Sequence, residues 1–92
     1  MTEPAEGWAI ILLRQPEKMM HRLPKAVARR IWEAIRALKG NPRSPNCRKL
    51  VGYENLYRLR IGDWRVGYAI HDDRLVVLII EIASSGAAYR DL

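Results

Sequence analysis

The chain has 92 residues, 49% of them hydrophobic and 28% charged, which excludes a disordered polyelectrolyte and allows one small hydrophobic core. The longest apolar runs, residues 8–13 and 75–80, are strand-sized and far short of the ~18 residues of a membrane span. The net charge of +6 is unevenly spread: residues 14–65 hold 14 of the 16 basic residues and only four acids (net +10), leaving the remainder at −4. Such polarity attracts nucleic acid or an acidic protein, the bland alternative being a solvated basic surface. Cys47 is the only cysteine, and Glu3 and Glu6 stand where a secretory leader would be basic, so we expect a reducing, cytoplasmic setting.

We read residues 1–92 as a single domain, with residues 1–6 as a frayed tail. Trp8 to Leu13 is a short apolar run after Gly7 and predicts a strand. Pro16 opens a short helix whose apolar face carries Met19, Met20 and Leu23. Pro24 opens a second helix, in which Val27, Ile31, Ile35 and Leu38 recur at helical spacing. Gly40, Asn41 and Pro42 stop it, and the two prolines of residues 41–46 predict a stiff irregular loop. Three strands follow, residues 56–61, 64–71 and 74–82, joined by the two-residue loops Gly62-Asp63 and Asp72-Asp73. The expected architecture is α+β: a small antiparallel sheet in the element order β-α-α-β-β-β, with the two N-terminal helices packed on one face.

The Gly62-Asp63 loop fixes a register. Ile61 then opposes Trp64, Leu59 opposes Val66, and Tyr57 opposes Tyr68, all on the side that meets the helices. On the other side Arg60 opposes Arg65, and Arg58 opposes Gly67. Like charges directly opposed on a sheet are destabilising. A phosphate among the guanidinium groups would relieve that repulsion, with Arg48 and Lys49 of the preceding loop adding charge. The alternative is that the arginines splay into solvent and are screened. Taking Asp72-Asp73 as the next loop pairs Tyr68 with Val77 and Val66 with Ile79. Val76, Leu78 and Ile80 then form an apolar row on the arginine side, to be covered by the chain's own tail or by a partner. His21, His71 and Cys47 lack metal-ligand spacing, and no glycine-rich phosphate loop is present, so no metal or cofactor is expected.

The runs Arg22–Val27, Lys39–Arg43 and Lys49–Tyr68, and above all Leu56-Tyr57-Arg58-Leu59-Arg60 followed by Gly62-Asp63-Trp64-Arg65-Val66, resemble the RelE/ParE toxins of bacterial and archaeal toxin–antitoxin systems. Ala88-Tyr89-Arg90 fits the same pattern. For the RelE branch the resemblance implies a metal-independent endoribonuclease, an mRNA interferase that blocks translation by cutting mRNA in the ribosomal A site. The RNA's own 2′-hydroxyl attacks the adjacent phosphate. It further implies that Arg58 and Arg60 clamp the backbone, that Arg65 stabilises the transition state, that Tyr89 helps move the proton, and that Lys49 is a basic RNA-binding position; the charge argument above adds Arg48 as an RNA-binding position. It also implies a cognate antitoxin protein as partner, with ribosomal RNA contacts and no membrane.

Ser84 and Ser85 depart from the pattern, because a basic pair usually stands there. A missing acid or charge stabiliser typically costs ~10²–10⁴-fold in rate. The expectation is therefore an attenuated or inactive nuclease. The alternatives are a ParE-like DNA gyrase inhibitor with no nuclease chemistry, and a non-enzymatic RNA-binding module.

Overall fold

The computed structural model describes residues 7–86, so the terminal segment read as a tail lies outside the described residues. The elements run β1 (Ala9–Leu12), α1 (Arg14–Arg22), α2 (Lys25–Ala37), β2 (Cys47–Lys49), β3 (Leu56–Ile61), β4 (Trp64–His71) and β5 (Val76–Ser84). They form one sheet in the order β1-β5-β4-β3-β2.

The expected α+β class and order of elements are present, with two differences in the sheet. Residues 47–49, read as loop, form the edge strand β2, antiparallel to β3. Cys47-Arg48-Lys49 is too short and polar to signal a strand, and β3 supplies the pairing that defines it. The sheet is also mixed rather than wholly antiparallel, because β1 runs parallel to β5. Two helices separate β1 from the meander, so its direction is set by where the chain returns and not by a hairpin.

α1 starts two residues before Pro16, which falls in the first turn, where no intrahelical N–H is required. α2 places Ile31, Ile35 and Leu38 fully inside, while Trp32 stays 38% exposed. These residues join Tyr57, Leu59, Ile61, Val66, Tyr68, Ile70, Val77, Ile79 and Ile82 in a single cluster, against which Met19, Met20 and Leu23 of the α1 segment pack. Both helices therefore cover the same face of the sheet and leave the other open to carry a site.

The β3–β4 register is the one the sequence predicts, from Ile61 opposite Trp64 to Tyr57 opposite Tyr68. Gly62 has φ +57°, the left-handed first position that a primed two-residue turn reserves for glycine. The β4–β5 turn differs: residues 72–75 form a four-residue connection closed by Leu75 at φ 54°, and His71 pairs with Val76. Tyr68 consequently opposes Ile79 rather than Val77, and Val66 opposes Ile82 rather than Ile79. The shift at Tyr68 is an even number of residues, so Val77 and Ile79 still face the core. The further offset at Val66 comes from an irregularity between Gly67 and Tyr68.

Candidate functional site

The open face of the sheet is where the arginines gather. Arg60 opposes Arg65 and Arg58 opposes Gly67, as the hairpin loop dictates. β2 adds a second like-charge pair, Arg48 opposite Arg58. Arg48, Arg58, Arg60 and Arg65, with Asn46, Cys47 and Gly62 among their neighbours, line one open hollow of about 570 Å³. No carboxylate among the described residues lines it. Arg48, Arg58 and Arg60 make no ion pair with any described residue.

Arg65 is held in place by the turn it follows. Its Nη1 donates to the carbonyl oxygens of Gly62 and Trp64, both at 2.9 Å. These bonds hold the guanidinium against the turn. On the far side of the turn, the Arg30 guanidinium of α2 lies 3.1 Å from where a Cβ on Gly62 would stand. Ser84 pairs with Trp64, and the Ser85 N–H donates to Asp63 O at 2.8 Å. The two serines thus sit where the end of β5 meets the β3–β4 turn, Ser84 on the face that carries Trp64.

Lys49 is not brought into this group. It neighbours Arg48 in a strand, so it falls on the opposite face, paired with Tyr57, and lines a separate shallow depression with Leu50, Val51 and Glu54. Tyr89 lies outside the described residues. Val76 and Leu78 are half-buried on the arginine side of the sheet, while Ile80 sits in the β5 irregularity and is exposed.

The wall of the hollow is anchored by a network that sequence reasoning did not anticipate. Arg43 donates two hydrogen bonds to Asp72, at 3.0 and 2.8 Å, and its Nε donates to the Tyr57 hydroxyl at 3.1 Å. The Arg43 guanidinium also lies 5.5 Å from the Tyr57 ring centroid, and Tyr57 stacks on Tyr68. Tyr68 donates its hydroxyl to Pro42 O at 2.7 Å. The Arg43 hydrogen bonds hold the Asp72 carboxyl below the usual carboxylate range. Burial, and then the hydrogen bond with Cys47, push the Tyr68 phenol well above its ordinary value, so it remains a neutral donor. Residues 42 and 43 are thereby pinned just before Asn46, Cys47 and Arg48. No local signal links Arg43 to Asp72, which lie 29 residues apart.

The molecule is therefore of one class: a small α+β domain with helices on one face of a mixed sheet and an arginine-lined hollow on the other. The chain matches, over residues 10–89, the family described as ParE toxin of type II toxin-antitoxin system, parDE. It is 31% identical over 77 residues to toxin RelE1 of Methanocaldococcus jannaschii, covering 80% of this chain and 86% of that one. Among solved structures, the archaeal RelE–RelB complex of Pyrococcus horikoshii matches at 31% identity and TM-score 0.76, covering 87% of this chain and 97% of that one. The isolated E. coli RelE toxin shares the fold at TM-score 0.74 and 20% identity, covering 92% and 99%. The chain belongs to the RelE/ParE superfamily of toxins of type II toxin–antitoxin systems.

Proposed function

We propose that this chain is a RelE-type toxin that binds mRNA in the ribosomal A site and cleaves it through the RNA's own 2′-hydroxyl. The observation that carries the reading is the hollow: four arginines from three strands converge on one space, two like-charge pairs oppose each other across the sheet, and no acid among the described residues lines the space. Guanidinium groups fork onto phosphate oxygens, so a ribose-phosphate backbone is the complement of this surface. Arg58 and Arg60 clamp the phosphates. Arg65, oriented by the turn carbonyls, meets the charge that builds on the phosphoryl oxygens. Tyr89 helps move the proton, and Arg48 extends the RNA contact. The chemistry needs no cofactor. Cleavage is attenuated because Ser84 and Ser85 supply no positive charge. The toxin works in the cytoplasm and is held in check by a cognate antitoxin. That partner lays an amphipathic helix or extended segment on the toxin surface, as RelB accompanies RelE in the Pyrococcus horikoshii complex.

The second reading is inhibition of DNA gyrase through protein contacts, favoured by the match to the ParE family over residues 10–89. Purified chain, programmed ribosomes and a gyrase supercoiling assay separate the two. Cuts at codon positions in the mRNA support the nuclease; loss of supercoiling with intact mRNA supports the gyrase inhibitor and removes the nuclease. Replacing both serines by arginine, S84R/S85R, should raise toxicity in growing cells and the cleavage rate by ~10²-fold or more. An unchanged rate contradicts the attenuation.

A further inference from the structure

We propose that Glu81, which stands across Gly67 from the arginine hollow on the same face of the sheet, is a catalytic residue, accepting the proton of the attacking RNA 2′-hydroxyl while the arginines hold the adjacent phosphate. This rests on the nuclease reading above.

The placement of Glu81 comes from the irregularity in β5. Tyr68 pairs with Ile79 but Gly67 pairs with Glu81, so Ile80 is an extra residue in the ladder. The burial along the strand records the same phase change: Val77 and Ile79 are fully inside, and the next fully buried residue is Ile82. Continuing the Tyr68–Ile79 register without interruption would set Glu81 opposite Val66, with its carboxylate against the helices. The bulge gives that place to Ile82 and turns Glu81 to the open face. Bulges recur beside active sites for this reason: one inserted residue re-aims a side chain.

On the open face Glu81 completes a row across four strands: Arg48, Arg58, Gly67, Glu81. A Cβ built on Gly67 would lie 3.9 Å from the Glu81 Cβ, which confirms that the two stand on the same side. With strands spaced ~4.8 Å apart, the backbones carrying Arg58 and Glu81 are ~10 Å apart, and the glycine leaves the space between them unfilled. Glu81 makes no ion pair with any described residue, so its carboxylate is not spent on the neighbouring cations. A guanidinium and a carboxylate facing each other across an unfilled gap match the two ends of one ribose-phosphate unit: phosphate toward Arg58, ribose hydroxyl toward Glu81.

In the step itself, the Glu81 carboxylate takes the 2′-hydroxyl proton as the 2′ oxygen bonds to phosphorus. The bond from phosphorus to the 5′ oxygen breaks, and that oxygen takes a proton from water. The products are a 2′,3′-cyclic phosphate and a free 5′-hydroxyl. Glu81 then returns its proton to solvent.

The test is Glu81→Gln, which preserves shape and polarity but cannot take the proton, made in both the unaltered chain and the S84R/S85R chain. Single-turnover mRNA cleavage on programmed ribosomes should fall by ~10²–10⁴-fold at saturating toxin. Ribosome and RNA binding should hold or tighten, because a negative charge has left the arginine face. Cleavage at the parent rate overturns the role of Glu81 and leaves the nuclease reading intact. Weakened binding in a variant that melts like the parent overturns it as well, since it makes Glu81 an organiser of the arginines. No cleavage by the unaltered and S84R/S85R chains overturns both readings together.

Discussion

Tyr68 sits at the centre of the core with no exposed surface, yet it carries a phenol. A buried hydroxyl is tolerated only when it is hydrogen-bonded, and Pro42 O meets that demand at 2.7 Å. The bond ties the centre of the sheet to the loop that precedes the hollow. Tyr68→Phe keeps the ring and its stacking on Tyr57 but leaves the Pro42 carbonyl without this donor. We expect a loss of about 1–3 kcal/mol in unfolding free energy, measured by denaturant titration. A variant as stable as the parent would show that water replaces the phenol. Gly62 makes the matching argument about backbone: at φ +57° a Cβ is strained, while the Arg30 guanidinium 3.1 Å from that position can swing aside. The strain, not the contact, is why glycine belongs there.

At the scale of elements, β3 and β4 are specified almost entirely by their own residues. Alternation and the Gly62-Asp63 turn give every pairing between them, and with those pairings the arginine face. β5 is specified differently. Its apolar run fits either phase, and the core decides which residues are taken inside. Deleting Ile80 would remove the extra residue and leave Glu81 opposite Gly67 and Ile82 opposite Val66 in one uninterrupted ladder, so every side chain keeps its face. The expected outcome is a fold close to the parent in stability. The substitution Ile80→Thr should also cost little, because the side chain is 36% exposed. Thermal melts of the two variants test this: a severe loss confined to the deletion would mean that Ile80 does more than fill the bulge. The arginine face was legible because both of its strands share one tight turn. β2 and the Glu81 position were not, because each depends on a partner strand that local sequence does not name.

Across the whole molecule, one exposed network joins the loop after α2 to the far turn of the sheet. Arg43 grips Asp72 with two bonds and Tyr57 with a third. Asp72 has a lowered pKa in the fold, caused first by the hydrogen bonds from Arg43. A carboxylate with a depressed folded pKa contributes stability above its ordinary value of 3.8, and that contribution fades as pH falls through the lower folded value. Asp72→Asn should therefore lower the melting temperature slightly at pH 7, and the gap from the parent should close below about pH 4. A gap that is constant between pH 7 and 3 would show that the carboxylate charge plays no part. Because the network ends beside Asn46 and Arg48, its loss should also weaken RNA binding more than it weakens the fold.

The amino-acid sequence by itself determined the class of fold, both helices, the β3–β4 register, and the gathering of Arg58, Arg60 and Arg65 on one face. Each of these follows from short-range physics: helical spacing, period-two alternation and a glycine turn. Only the tertiary structure decided that Arg48 joins them while Lys49 does not, that β1 lies parallel to β5, that Arg43 reaches Asp72, and that a bulge turns Glu81 outward. Those outcomes depend on which distant segments pair and on which apolar side chains the core admits, so they are settled when the chain closes on itself and not within any one stretch of it.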